Sequence, residues 1–552
     1  MSTTSTKLSR KKSSAKSALA KQISEEGSPS GPEISELAWR ISSLAILLVG
    51  AFLRLYNLGL VPLHHDEGVN GNFLVTLVRT GQYTYNPENY HGPTLYFFSA
   101  VIPWLARFVG GKAFGENYGL TTFNIRFVTA AFGIGTIWLA LLLRKRIGMI
   151  GALSAAGLIA VSPGAVYLSR YFIHESLFVF FTLGIVVAAL KYYDTKQAAY
   201  LILASISAAL MVATKETWII NGPVLLIALI TTSGYFWIRE KFAGKRSEGS
   251  LGERWREMLE RFGGPVPLAT VALVAFAVFV LVNVLFYSSF FTNYPKGVND
   301  AMQTLNMWRH RTQEHYHPPY QYVYWLLQEE GIVLVLGGIG ALIAVLRANS
   351  RLAIFLALWS FGLLAGYSLV GYKTPWISLN FIVPLALTSG YALDVAYQKL
   401  REFGQPRLFI ILAVLIAVPC TYQMYQLNFV HYDDDAYPYV YAHTRRELLQ
   451  MLDEIDRVSN RMGTGTDTGI ALVSPDYWPL PWYFRDYKKV GYYQQIVATN
   501  EPIIIGSTAQ QEQLKETYGD RYVLVVSGKD EGAYALRPGV DLLLYVRKDV
   551  AK

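Results

Sequence analysis

One cysteine stands in 552 residues, and Cys420 lies inside an apolar run. A lone thiol excludes a disulfide framework and any cysteine-based metal site. Charge is scarce as well: 16% of the residues are Asp, Glu, Lys or Arg, where a soluble domain carries about 25%. No glycine-rich phosphate loop is present, so the common nucleotide-binding signatures are missing. No repeat is visible beyond a recurrence of apolar runs. The tail also lacks a short apolar segment with a small-residue cleavage site. The first apolar run begins at about residue 38 and reads as a retained signal anchor.

What fills the chain is apolar: 52% hydrophobic and 14% aromatic residues. Runs of about 20 such residues predict a mainly α, polytopic membrane protein. Spans are expected at 38–56, 121–143, 149–169, 174–193, 198–213, 217–238, 266–287, 331–347, 352–370, 376–395 and 406–424. These eleven place the two ends of the chain on opposite sides. With the N-terminus cytoplasmic, the tail, "RKR" at 144–146 and the loop at 239–261 lie inside. The inner segments then hold more than twice as many Lys and Arg as the outer loops. That bias accounts for the net charge of +9 without a nucleic-acid partner. It predicts a multi-pass protein of the plasma membrane.

The apolar stretch 93–109 contains Pro103, and counting it as a span would reverse every later loop. It is expected to lie in the interface or to re-enter. A second interfacial helix is expected at 66–79, with Asp66 as its N-cap. The chain thus divides into a disordered tail (1–37), a transmembrane domain (38–428) with a large first outer loop (57–120), and an extracytoplasmic α/β domain (429–552). In that last part, strands are expected at 469–473, 502–506, 522–526 and 542–546, with helices at 442–458 and about 508–518.

Ionisable residues gather on the outer side, where a membrane protein has functional reasons to keep them. "VPLHHDEGVNGNF" carries His64, His65, Asp66 and Glu67, and His91 follows in "YHGP". "SRYFIHES" supplies Arg170, His174 and Glu175; "TKET" supplies Lys215 and Glu216. "NMWRHRTQEHYHPPYQY" holds Arg309, His310, Arg311, His315 and His317, and "GYKTPW" holds Tyr372, Lys373 and Trp376. Plainer roles exist for each. Arg170 and Lys215 suit snorkelling anchors, the histidine-rich loop suits solvation, and Tyr372 and Trp376 suit an interfacial aromatic belt. A helix cap explains one carboxylate at 66–67; it does not explain the histidines around it.

Three segments together carry a resemblance. The Asp-Glu pair just after the first span, "NIRFVTAAFGIGTIWLALLLRKR" and "SPGAVYLSRYFIHESL" resemble the GT-C membrane glycosyltransferases, in the protein O-mannosyltransferase and aminoarabinose-transferase branch. "HHDEGVNGNF", "YHGPTLYFF" and "YKTPWISLNFIVPL" are similar to the flippase activity-associated proteins. The resemblance covers about residues 40–400 and is weak over the C-terminal part. It implies a GT-C-like fold and transfer of a sugar from a polyprenyl-phosphate donor to an acceptor glycan, lipid or protein at the outer face. By the same resemblance Asp66 is the general base, and Glu67 orients it or binds the acceptor. Arg170, Lys215 and Lys373 would neutralise the departing phosphate, while His65, His91, His174 and Glu175 would line the substrate site. One departure is the His174–Glu175 pair where a lone acid is common. It leaves open a divalent ion, Zn or Mn, on Asp66, His91, His174 and Glu175, beside the plainer reading of hydrogen-bonded histidines around a sugar. Two other functions are compatible with the pattern: a flippase-associated or transport protein for lipid-linked oligosaccharide, and a sensor. Polar groups collected at one face, with no inverted halves, favour the enzyme.

Overall fold

A computed structural model describes residues 34–87, 91–242, 256, 259–260, 262–308, 315–525 and 532–551. Each expected span coincides with a helix or a bent pair of helices. The chain begins with α1 (Glu36–Leu55), α2 (His65–Thr80), α3 (Thr94–Gly119), α4 (Thr122–Leu141), α5 (Met149–Val161), α6 (Pro163–Ser169) and α7 (Glu175–Thr195). Ala198–Val212, Trp218–Phe242, Pro265–Tyr287, Gly331–Arg347, Arg351–Leu369, Pro375–Glu402 and Leu408–Tyr425 follow. Among the described residues nine helices are long and apolar enough to cross a bilayer, or up to eleven if two bent pairs each count as one. Pro265–Tyr287 is only 6% buried over its most apolar window, as befits a helix that faces lipid. Pro375–Glu402 is 94% buried and forms the central post.

Two details between α1 and α4 refine or correct the expectation. The stretch 93–109, expected to lie in the interface or to re-enter, is the first arm of α3, whose backbone breaks at Gly111 (φ 82°). A Cβ on Gly119 would come within 2.4 Å of the Pro103 Cα, and one on Gly115 within 2.7 Å of the Arg107 Cβ. A straight helix would set residues 103 and 119 about 24 Å apart. The chain therefore doubles back at Gly111 as a helical hairpin. The correction concerns α2, which is capped by His64 and not by Asp66. The His64 side chain accepts from the Asp66 N–H, and Glu67 returns a bond to the His64 N–H, closing a capping box.

The run expected as one span at 149–169 breaks at Ser162–Pro163, where α5 and α6 meet at 60°. Pro163 removes a donor and ends α5. Inside a bilayer the freed groups need protein partners, and charged side chains supply them. Arg54 donates to the carbonyls of Ile159 (2.9 Å) and Ala160 (3.1 Å) at the end of α5. Glu330 accepts from Ser162 Oγ (2.6 Å) and the Gly164 N–H (2.8 Å) at the start of α6. The Arg54 cation at the C-terminus of α5 suits the helix dipole there.

All the named strands lie after residue 468. β1 (Gly469–Leu472), β2 (Lys489–Tyr492), β3 (Ile503–Ser507), β4 (Tyr522–Val525), β5 (Ala533–Arg537) and β6 (Val540–Arg547) make one sheet. Its order is β2-β1-β3-β6-β4, with β5 also on β6. β1 is parallel to β2 and β3; the pairs with β6 are antiparallel. The helix Glu447–Arg461 covers one face through Leu448, Met451, Ile455 and Val458, a helical spacing of apolar residues. Gln511–Tyr518 covers the other through Leu514 and Tyr518.

This α/β unit is seated on α2. A Cβ on Gly68 would lie 2.5 Å from the Pro479 Cβ, and one on Gly71 would lie 2.6 Å from the Trp482 ring. Two glycines three apart on one helix face permit that approach. The seam is fastened by the Tyr483 hydroxyl, which accepts from the Leu63 N–H (2.9 Å). Arg79 also donates to the Arg485 carbonyl and the Asp486 carboxylate, both at 2.7 Å.

Candidate active site

The adjacent carboxylates at the start of α2 have opposite surroundings. Glu67 is fully buried. It accepts from Arg126 Nε (2.7 Å) and Nη2 (2.6 Å), from the Phe172 N–H (2.7 Å) and from the His64 N–H (3.0 Å). All its lone-pair directions are used. Arg126, on α4, also donates to the carbonyls of Leu58, Val61 and Pro62. Glu67 thus ties α2, α4 and the loop after α6 together. Asp66, by contrast, is 41% exposed, and its carboxylate accepts no hydrogen bond among the described residues. It stands at the N-terminus of α2 with its carboxyl group open to solvent.

His64 stands behind Asp66. Its Nδ1 accepts the Asp66 N–H (3.0 Å), so the proton resides on Nε2 and donates to the Tyr441 carbonyl (3.3 Å). Nδ1 lies 3.9 Å from the Asp66 carboxylate without forming an ion pair, because the imidazole is neutral. Burial draws it below its ordinary 6.5, against the opposing pull of Asp66 and Glu67. Tyr171, His443 and Trp376 ring it at centroid distances of 5.2, 5.2 and 6.1 Å. His443 is also held well below the usual imidazole range, by burial and then by neighbouring His64 and Arg126. His65 turns to the C-terminal unit, with its Nδ1 3.4 Å from Arg537 and its ring 6.1 Å from that of Trp478.

A second group forms where "YHGP" meets "ATKET". The Gly92 N–H donates to the Thr214 carbonyl (2.9 Å) and the Thr94 N–H to Ala213 (3.3 Å). A Cβ on Gly92 would sit 2.0 Å from the Ala213 oxygen. This short pairing places His91 against Glu216 (2.9 Å). His174 donates from Nε2 to the Gly92 carbonyl (3.0 Å). Burial first, then His91 and Lys215, keep His174 well below its ordinary pKa. Among the described residues its buried Nδ1 has no partner, nor has the Tyr171 hydroxyl. Lys215 and Glu175 form a buried ion pair.

The two groups are joined by Asn70, which donates to the Phe172 carbonyl (3.0 Å) and accepts from the Tyr96 hydroxyl (2.8 Å). The Tyr96 ring lies 5.6 Å from His174. The expected metal set is not brought together. Asp66 belongs to the first group, while His91, His174 and Glu175 already hold Glu216, the Gly92 carbonyl and Lys215. Among the described residues no three His, Cys, Asp or Glu side chains form a group able to hold a metal ion.

The three expected phosphate-binding cations also separate. The charge of Lys215 is neutralised by Glu175. Arg170 donates to the carbonyls of Leu53 (3.1 Å), Tyr56 (2.6 Å) and Asn57 (2.9 Å), closing the end of α1. Lys373 donates to the carbonyls of His317 (3.2 Å) and Val370. Neither has a carboxylate partner among the described residues, so both leave positive charge in the frame. Arg170 and Arg126 line a small cleft with Val61, Tyr167, Tyr171, Asn428 and His443. His315 reaches the Tyr441 hydroxyl (3.0 Å) at the rim; Arg309, His310 and Arg311 lie outside the described residues. Asn70, Arg126, Tyr171, His443, Trp478 and Arg537 were not singled out from sequence. Only Arg126 gave a signal, as a charge inside an apolar run.

A bundle with broken helices, an acidic helix start soon after the first span and an α/β unit seated on it is the fold of the GT-C membrane glycosyltransferases. The chain has that fold. Residues 99–244 match the sequence model of the family described as dolichyl-phosphate-mannose-protein mannosyltransferase. ArnT from Cupriavidus metallidurans, solved with undecaprenyl phosphate, aligns over 92% of this chain and 98% of its own, with a TM-score of 0.60 and 13% identity. The Archaeoglobus fulgidus oligosaccharyltransferase AglB, solved with an inhibitory peptide and a dolichol-phosphate, aligns over 90% of this chain and 74% of its own. Its TM-score is 0.50 and its identity 14%. No curated protein matches the chain by sequence. None of these similarities singles out the flippase activity-associated proteins.

Proposed function

We propose that this protein transfers a sugar from a polyprenyl-phosphate donor to an acceptor hydroxyl, with Asp66 as general base. The observation that carries the reading is the division of labour at 66–67: one carboxylate locked by four hydrogen bonds, its neighbour exposed and unbonded. Asp66 takes the acceptor proton as the hydroxyl oxygen bonds to the anomeric carbon. The bond from that carbon to the phosphate breaks, and the lipid phosphate leaves with the electron pair. A single free carboxylate acting as base on the acceptor hydroxyl suits a single displacement, and so inversion. The uncompensated charges of Arg170 and Lys373 supply the field for the departing phosphate. The unpartnered His174 Nδ1 and Tyr171 hydroxyl are suited to hydroxyls of the donor sugar. The lipid-phosphate ligands of ArnT and AglB support this donor class. The arrangement of Lys and Arg supports an outer-face site, with the N-terminus cytoplasmic, the C-terminal unit outside, and the protein in the plasma membrane.

The test is a turnover assay of purified protein with a panel of polyprenyl-phosphate sugars, comparing wild type with Asp66→Asn. Loss of a general base lowers turnover by about 10²–10⁴. Equal rates for the two proteins would remove Asp66 from the mechanism.

A further inference from the structure

A row of aromatic rings leads away from the Asp66 site across the C-terminal unit. The His65 ring, next to Asp66, lies 6.1 Å from Trp478. Trp478 stacks on Tyr477 at 5.6 Å and 29°, and Tyr477 meets Tyr492 at 5.4 Å and 44°. Tyr492 ends β2, the edge strand of the sheet, and is 37% exposed. Packing accounts for part of the row: Trp478 lies against Gly68 of α2, and Tyr477 sits at the margin of one core of the sheet. Tyr492 belongs to neither core. Polar groups flank the row. Gln494 Nε2 donates to the Tyr477 hydroxyl (3.4 Å), and Arg537 sits between His65 and Asp476.

We propose that the row holds the acceptor and that the acceptor is a carbohydrate chain. This rests on the transferase reading above and names its second substrate. Aromatic faces carry negative quadrupole density, which attracts the weakly positive C–H face of a pyranose. Amide and guanidinium groups at the edges serve the ring hydroxyls. The row ends at Asp66, where the terminal sugar presents its hydroxyl to the base. A peptide acceptor would use the edge of β2 through backbone hydrogen bonds and would have no need of the rings.

The test uses the full chain in lipid nanodiscs carrying Asp66→Asn, so that binding is read without turnover. A panel of defined oligosaccharides is titrated and followed by Trp fluorescence and by saturation-transfer NMR. Saturable binding of an oligosaccharide is expected, at least threefold weaker in Tyr492→Ala and retained in Tyr492→Phe. Tyr492 is a surface residue, so Tyr492→Ala leaves the fold intact, which an unchanged melting midpoint verifies. In an otherwise wild-type chain, Tyr492→Ala is expected to raise KM for the glycan acceptor with little change in kcat. The proposal is overturned if no oligosaccharide binds, or if Tyr492→Ala binds as the parent does. It is equally overturned if a peptide acceptor is glycosylated at rates that Tyr492→Ala does not alter. Glycan binding lost in Tyr492→Ala while Asp66→Asn still turns over would sink the base assignment and leave the acceptor site standing.

Discussion

Replacing Glu67 by Ala removes a carboxylate that four donors share, and the consequence can be worked from the geometry. The Arg126 guanidinium would keep its carbonyl partners at Leu58, Val61 and Pro62 and lose its only counter-charge. Breaking a buried pair from one side costs about 3–5 kcal/mol. The His64 and Phe172 N–H groups lose their acceptor as well, at about 1–3 kcal/mol each when left unsatisfied. These costs overlap, because the same loops relax to meet all of them. A total of about 4–6 kcal/mol is expected, comparable with the whole stability of many domains, about 5–15 kcal/mol. Asp66→Asn removes no hydrogen bond of the carboxylate and is expected to change stability by less than about 0.5 kcal/mol. Thermal unfolding of each variant in one detergent, followed by intrinsic fluorescence, separates them. Glu67→Ala lowers the midpoint by many degrees and Asp66→Asn leaves it in place. Adding Arg126→Leu to Glu67→Ala recovers part of the loss, because the orphaned charge goes too. A Glu67→Ala protein that melts with wild type, or an Asp66→Asn protein that does not, would refute the division between the two carboxylates.

Gly92→Ala drives a Cβ into the Ala213 carbonyl and separates the two segments that place His91 and His174; turnover falls and the melting midpoint drops, even though neither histidine is changed. Gly71→Ala overpacks against Trp482, costing about 1–3 kcal/mol, and hydrogen exchange shows residues 478–485 loosened from α2. Lys373→Met lowers affinity for the lipid-phosphate donor about tenfold or more, the value of one charge-assisted hydrogen bond, whereas Lys215→Met destabilises by stranding Glu175. The folded His64 imidazole lies below its ordinary 6.5, so the unfolded chain takes up the proton first. The stability it contributes is complete above about pH 6.5 and is lost as pH falls. A melting midpoint that declines toward acid, with a shallower slope in His64→Asn, is the expected result; His174 and His443 retain the rest of the slope.

The spans were legible because apolar length is a local property. Every expected span has its helix, including the short Ala198–Val212. The break inside 149–169 was announced by Pro163 and passed over, since the apolar run continues through it. The cap of α2 was misassigned because histidine is outside the usual capping residues, yet a neutral Nδ1 accepts as well as a carboxylate oxygen does. Asp66 and Glu67 read as a pair; what separates them is Arg126, 59 positions on, and no local pattern reports such a partner. The candidate metal ligands failed for a related reason. Residue type suggested a metal, but His91, His174 and Glu175 each hold a partner from another segment, and Asp66 stands in a different group. β2 and β5 were missed because their burial is intermediate or mixed, without the continuous apolar run that marked β1 and β3.

The charged clasps at the Ser162–Pro163 break bear on how the protein is assembled. While α1 is being inserted, the carbonyls that Arg54 will hold have not been synthesised, so its guanidinium must rest at the interface, its stem in lipid and its head in water. It can move inward only when residues 159–160 arrive. The other end of the break waits longer, for Glu330. The chain between these two points must therefore stay loosely packed during biogenesis, and α6, which aims the loop that anchors Glu67, sets late. The break is therefore clasped at both ends only after Glu330 has been made, long after the acidic motif at 66–67.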